Sequence, residues 1–581
     1  MKPFVLVALT SAALGACAPG RSAAPAPAPT PVPAAAPPAV TAPPVVTAPV
    51  EPNAPATPPP AREVPAAPAP GVREAARDWQ LLDPAADRVV GVGSERALRE
   101  LLAGRQPART VVVAVIDGGV DTAHVDLKAN LWQNGKEVAG NGKDDDGNGY
   151  VDDVRGWNFI GGPNGRAVNY DTYEVTRLHA RCTGGAAAAR MPAPSAAERA
   201  HCPAIAEGFN RRRREAEQQL PQVRSISNAL ARVLPVLRQA VGGDSLTPAR
   251  VSALPQSTTP DAQQARQLYL QLAAAGITPA AVQEAQEELE ARLQFNLNTA
   301  FDPRPLVGDT ASGAADRRYG NADVMGPDAK HGTHVAGIIA AVRGNGTGVD
   351  GVAPAVRIMG VRAVPNGDER DKDVANAIRY AVDNGAQIIN MSFGKSFSPD
   401  KPLVDAAVKY ADAKGVLMVH AAGNDGADVS KAPNFPIDTY VAGGEARGWI
   451  EVGASSWQGL DSLAAPFTNY GRPQVDVFAP GVDILSTVPG GGYERQDGTS
   501  MAAPVVSGVA ALLMSYYPSL TAADVKRIIL ESATRFPDQP VVKPGAEEGT
   551  VLFGTLSVTG GVVNAYEAVR RAGTTRSAQP E

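Results

Sequence analysis

A chain of 581 residues is long enough for several domains, or for one large domain with tails and insertions, and 44% hydrophobic residues supply an ordinary globular core. A formal charge of −6 over that length carries no basic stripe, which excludes the usual footprint of a nucleic-acid partner. The 58 glycines and 51 prolines are unevenly spread, and their clustering marks where folded sequence begins.

The chain opens like an export signal: Lys2 is a short positive region, and Phe4 to Leu14 is an apolar run too short to span a bilayer. Leu14-Gly15-Ala16-Cys17 has the form of a bacterial lipobox, so residues 1–17 are expected to be a lipoprotein signal ending at a lipidated Cys17. An ordinary cleaved signal is the alternative. Acyl chains on Cys17 would hold the protein on a membrane without a transmembrane helix. Ala18 is not an Asp, which leans the expected placement toward an outer membrane. Residues 18–72, mostly Ala, Pro, Val and Thr, cannot bury a core and read as an extended tether. Folded sequence is expected over 73–575, with 576–581 a disordered tail.

A short helix is expected at Ser94 to Leu102. Thr110 to Asp117 is a continuous β-branched run that reads as a strand buried on both faces. Similar runs recur at Val356–Val364, Gln387–Ser392, Val416–Ala421 and Trp449–Ala454, with helical patterns at Val374–Asn384 and Leu403–Lys414 between them. This alternation implies parallel βαβ units and a three-layer α/β core. Residues 170–301 break the pattern: helical spacing at Ala229–Ala240 and Thr259–Leu297 indicates a helical insertion, on which Arg211–Arg214 reads as a solvated face. A strand pair near Val541–Val558 and a helix over Val562–Arg571 close the fold. Within the insertion, Cys182 and Cys202 are an even pair in an oxidising compartment. A disulfide, a zinc site shared with His179 and His201, and free thiols all remain open.

Three segments carry specific chemistry. Val115-Ile-Asp117-Gly-Gly119 puts a carboxylate at the end of a parallel strand, where α/β sites form. His331-Gly-Thr-His-Val-Ala-Gly337 places an imidazole at the start of an apolar helix. Asp497-Gly-Thr-Ser500-Met-Ala-Ala-Pro504 places a hydroxyl at the start of a long apolar helix running to about Tyr516, where backbone N–H groups face an oxyanion. In the order Asp, His, Ser, these segments resemble the signatures of the subtilase family of serine peptidases. Ala421-Ala-Gly-Asn424 matches the family's oxyanion asparagine, and Asn390-Met-Ser-Phe-Gly394 resembles its substrate-pairing strand. Val475–Pro480 and Gly560–Val569 also look like the family's late strand and last helix.

The resemblance implies a subtilisin-like three-layer fold with a mostly parallel sheet, and a serine endopeptidase acting on protein or peptide substrates. It implies Asp117, His331 and Ser500 as catalytic triad and Asn424 as oxyanion donor. Ser392, Phe393, Gly394, Ala422 and Gly423 would contact substrate. His420 either approaches that wall or is a packed core histidine. The chain departs from the pattern in three respects. Gly118 stands where Ser or Thr commonly follows the Asp. The triad's Asp and His are 214 positions apart (331 − 117). Only about 40 residues lie between tether and first strand, too few for the usual inhibitory propeptide.

Asp144-Asp-Asp146-Gly-Asn148-Gly-Tyr-Val-Asp152 places oxygen ligands at alternate positions, like the first half of an EF-hand loop. Arg155 at the twelfth position excludes a complete one. A structural calcium on Asp144, Asp146, Asn148 and Asp152 is weighed against a merely acidic turn; none would be required for the chemistry. Two other functions compete. A catalytically silent surface scaffold is opposed by the intact Asp117, His331, Ser500 and Asn424, and a metallohydrolase by the absence of any HExxH.

Overall fold

The computed structural model describes residues 74–574 apart from 189–190, 244, 256–258 and 310–316. Cys17, the tether and the terminal tail lie outside the described residues. The central sheet begins with β1 (Val111–Asp117), β2 (Gly156–Asn158) and β3 (Val356–Arg362). It continues through β4 (Ile388–Met391), β5 (Leu417–Ala421), β6 (Trp449–Ser455) and β7 (Val477–Pro480). A hairpin of β8 (Ile484–Val488) and β9 (Gly492–Gln496) follows. Then come β10 (Thr534–Arg535), the antiparallel pair β11 (Pro540–Val542) and β12 (Thr550–Leu552), and β13 (Gly561–Val562). The nine-stranded sheet runs β10-β13-β7-β6-β5-β4-β1-β3-β2, and only the β10–β13 pairing is antiparallel.

The β-branched runs are strands because each buries both faces. Along β1, Val111, Val113 and Val115 enter one core and Ala114 and Ile116 the other. The first core is closed by α5 (Lys330–Ala340), α8 (Thr499–Tyr516), α9 (Ala522–Ser532) and α10 (Ala565–Ala572). The second is closed by α6 (Asp371–Asp383) and α7 (Lys401–Ala413). The result is the three-layer α/β arrangement. Helix α8 is apolar all round because it lies inside the protein: 89% of its 18 residues are buried. Because β1 lies between β3 and β4, its carboxyl end opens inside the sheet rather than at its margin. The Ser94–Leu102 helix forms as an α turn at Ser94–Arg96 followed by a π turn at Ala97–Leu101.

The insertion contains α1 (Glu174–Thr183), α2 (Cys202–Val241), α3 (Pro260–Ala274) and α4 (Pro279–Ala291). Its separate core includes Val175, Phe209, Leu220, Val282 and Leu289. Two features differ from the sequence reading. Helix α2 is one continuous element of 40 residues that carries Pro221 and Pro235 inside it, where proline normally ends a helix. The Thr259–Leu297 stretch is two helices, because Gly276 turns the chain at φ 73° and Thr278 caps α4 by accepting the Ala281 N–H. Cys182 at the end of α1 and Cys202 at the start of α2 are joined as a disulfide, with Cα atoms 5.9 Å apart. His179 instead stacks on Phe209, so no zinc pair with His201 is assembled. In the basic tetrad, Arg211 and Arg214 are exposed, while Arg212 reaches Ser396 and Arg213 reaches Glu217.

Candidate active site

Asp117 ends β1 with its carboxylate buried, and the Gly118 N–H donates to Oδ1 at 2.7 Å. His331 Nδ1 lies 2.8 Å from Asp117 Oδ1 and 3.0 Å from Oδ2. A proton on Nδ1 satisfies that contact and leaves Nε2 as an acceptor. Gly332 makes the approach geometrically available: a Cβ there would lie 2.2 Å from the Gly119 carbonyl oxygen. The side chain of His331 is 44% exposed, at the mouth of a recess. Burial pulls its pKa down, but the Asp117 charge and hydrogen bond outweigh that and hold it above the ordinary imidazole value. The second histidine of the motif differs. His334 is fully buried, lies 3.0 Å from the carbonyls of Ile484 and Glu494, and burial lowers its pKa to about 3.

Ser500 is the second residue of α8. Pro504 has no N–H to bond the Ser500 carbonyl four residues back, and the Ser392 hydroxyl takes that place at 2.9 Å. In return the Ser500 hydroxyl donates to the Ser392 carbonyl at 3.0 Å rather than to His331. Asn390 Nδ2 holds the Ser392 hydroxyl from behind at 2.9 Å. Asn424 accepts at Oδ1 from the Thr499 N–H at 2.9 Å and hydroxyl at 3.0 Å. That network fixes the amide's orientation and, among the described residues, leaves its two Nδ2 donors uncommitted beside the start of α8. The loop before Asn424 is held in turn: Gly423 N–H donates to Thr499 Oγ1, and Asn469 Nδ2 donates to the Ala422 carbonyl. Gly423 adopts φ 102°, and a Cβ there would lie 2.4 Å from Asn469.

Ser392, Phe393 and Gly394 line a cavity of about 290 Å³ together with Asp117 and His331. Asn366, Gly367 and Glu369 line the same cavity. From inside the core, His420 lies 2.8 Å from the Phe393 carbonyl through Nε2 and 2.9 Å from Glu451 through Nδ1. Both earlier readings of His420 thus hold, since a fully buried histidine braces the wall from behind. Thr499, Glu369 and Glu451 were missed as site residues. Thr499 sits inside a quoted motif and could have been found, whereas the others depend on long-range packing.

Glu369 is 1% exposed, and its Oε1 has no hydrogen-bond partner among the described residues. Burial raises its pKa to about 8, aided by the Asp368 charge and opposed by Lys395. Below pH 4.5 the carboxyl is protonated folded or unfolded. Between 4.5 and 8 only the unfolded chain ionises, so folding stability falls across that window. Glu369→Gln is therefore expected to match the wild-type Tm at pH 4 and exceed it by a few degrees at pH 9, checked by calorimetry. A variant no more stable at pH 9 would contradict the raised pKa.

In the acidic loop, Asp144 and Asp146 converge with Glu137, a carboxylate missed in the sequence, and one oxygen from each lies within 4.8 Å of the others. Asn148 stands beside them, its N–H donating to both aspartates while its side chain bonds Asp153 and Tyr150. Asp152 does not join the group. Its carboxylate turns away to accept the N–H groups of Asn141 and Gly142.

The subtilase family (peptidase S8) profile matches residues 108–551. A thermophilic serine proteinase of Bacillus sp. (strain AK1) is 47% identical over 186 residues, 32% of this chain and 42% of that protein. Thermitase of Thermoactinomyces vulgaris is 39% identical over 241 residues, 41% of this chain and 75% of that protein. A solved protease structure from Pseudoalteromonas arctica shares 29% identity, covering 43% of this chain and 78% of that one, with a TM-score of 0.36. The chain spans about half the length of the first curated relatives it matches, from 42% to 55%. With a profile match over most of its length, and Asp117, His331, Asn424 and Ser500 in the order and setting described above, this chain belongs to the subtilase family.

Proposed function

We propose that this protein is a secreted, membrane-anchored serine endopeptidase that cleaves peptide bonds through an acyl-enzyme. The observation that carries this reading is the pairing of His331 Nδ1 with both oxygens of a buried Asp117, with Ser500 and the uncommitted Asn424 amide at the start of α8. An extended substrate adds as a strand beside Ser392–Gly394. A substrate N–H that takes the Ser392 carbonyl competes with the Ser500 hydroxyl now bound there, so docking frees the hydroxyl for His331 Nε2. His331 accepts the proton as Ser500 Oγ attacks the carbonyl carbon, and returns it to the leaving amine. Asn424 Nδ2 and the Ser500 N–H receive the oxyanion, and Asp117 stabilises the transient imidazolium. Water then hydrolyses the ester by the same steps.

Glu137, Asp144 and Asp146 are hard oxygen donors close enough to share one ion, a donor set that fits a structural calcium. Calcium would pin the loop and supply none of the chemistry. Loss of calcium-dependent thermal stabilisation in Asp146→Asn tests this assignment. Lipidation of Cys17 and the long tether would hold the domain off an envelope membrane, with the outer membrane favoured. Palmitate incorporation that survived Cys17→Ser would refute the anchor.

The deciding experiment is casein hydrolysis by the full-length protein beside Ser500→Ala, with calcium present. Activity confined to the wild type supports the peptidase. A folded wild type that neither hydrolyses casein nor reacts with a fluorophosphonate at Ser500 would instead establish the silent scaffold.

A further inference from the structure

The cavity beside Ser500 lies between two chain segments, and both are gripped by the helical insertion. On one side, Arg177 of α1 donates to the carbonyls of Asp368 at 3.2 Å and Glu369 at 3.3 Å. The Glu174 N–H donates to Asp368 Oδ2 at 2.8 Å, and Asn296 Nδ2 donates to the Asn366 carbonyl at 2.8 Å. On the other side, Lys395 directly follows Gly394, and its Nζ lies 2.9 Å from Glu174 Oε2. The same ammonium donates to the Glu369 carbonyl at 2.8 Å and meets Asp371 at 2.8 Å. Arg177 completes the circuit through Glu174 Oε2 at 2.6 Å. Glu174, Arg177 and Lys395 are each no more than 4% exposed at the side chain. Outside this buried knot, Phe397 packs on the insertion's core and Arg212 bonds Ser396.

Ionic clusters of this kind add little net stability, because desolvation offsets most of the attraction; in some proteins what they do instead is fix relative position. Here the positions fixed are those of the two walls between which a substrate strand would run. We propose that the helical insertion braces the substrate channel: through Glu174 and Arg177 it clamps residues 366–371 to residues 392–395. The clamp thereby sets the grip on substrate residues upstream of the scissile bond. Glu174, Arg177 and Lys395 are positioning residues, since they act through the walls rather than on the reacting atoms. The inference rests on the peptidase reading.

The test uses the full-length protein and peptide substrates with one, two, three or four residues upstream of a common chromogenic leaving group. Wild-type kcat/KM should rise with length. Glu174→Gln should lose about tenfold or more on the four-residue substrate, mainly through KM, and less than roughly twofold on the one-residue substrate. Fluorophosphonate titration of Ser500 counts competent sites, so a merely unstable protein is not mistaken for a weak one. Arg224→Gln, which breaks a contact within the insertion to Glu290, should leave the whole series unchanged. If Glu174→Gln does not fold, Glu174→Gln with Lys395→Met, which removes the buried pair together, is read in the same assay. An equal fractional loss at every length, or no loss at any, overturns the clamp. A wild type inactive on every substrate overturns the peptidase reading instead.

Discussion

Asp117→Asn is expected to lower kcat about ten-thousandfold with little change in KM, the magnitude known for the same substitution in another serine-peptidase fold. The reason lies in the contact of Nδ1 with both carboxylate oxygens. An asparagine amide can present an N–H to Nδ1, which moves the imidazole proton to Nε2 and removes the acceptor that Ser500 needs. The pH profile supplies a second readout. Asp117 is what holds the His331 pKa above its ordinary value against burial. The base works only when neutral, so activity is lost as pH falls through that pKa. Without the charge the pKa drops, and the acid limb of kcat/KM moves to lower pH in the variant. A variant within tenfold of wild type, or with an unmoved acid limb, would remove Asp117 from the orienting role.

Asn424→Leu should lower kcat by about 10²–10³, the size known for the equivalent donor of subtilisin itself, again with KM nearly constant. The leucine removes the Nδ2 donors and the tie to Thr499 but keeps a similar branched shape at an exposed position. Steady-state kinetics on one peptide suffice. A rise in KM with kcat intact would place Asn424 in ground-state binding and leave the oxyanion without its side-chain donor.

What was legible in the sequence was whatever a local pattern encodes. The run at Val111–Asp117 announced a buried parallel strand because both faces of β1 are apolar, and β3, β4, β5 and β6 followed the same rule. Ser500, His331 and Asn424 were legible because each sits in a motif whose neighbours serve the backbone geometry: Gly332 for close approach, Thr499 and Gly423 for the loop. Two kinds of feature were hidden. Helix α2 passes through Pro221 and Pro235 because its burial against α3 and α4 overrides the local preference to break, and tertiary contact is not visible in a window of sequence. Glu137 lies outside the acidic run it completes. Glu174 and Lys395 are 221 positions apart, so nothing local announces that they meet.

The return of the insertion's two ends to one point has a kinetic meaning. Tyr173 N–H donates to the Asn296 carbonyl at 3.0 Å, and Asn296 Nδ2 donates to the Asp171 carbonyl at 2.7 Å. Once the helices between them have assembled through their own short-range contacts, about 120 residues (296 − 173) count as a single closed loop. The chain that must still be spanned to bring His331 to Asp117 shrinks from 214 residues to roughly 90, which lowers the closure entropy by only ~0.8 kcal/mol. Because closure entropy grows so slowly with length, the fold can carry so large an interruption between two members of its triad. An insertion that presents adjacent ends leaves β1 and α5 to find each other almost as they would in a compact chain.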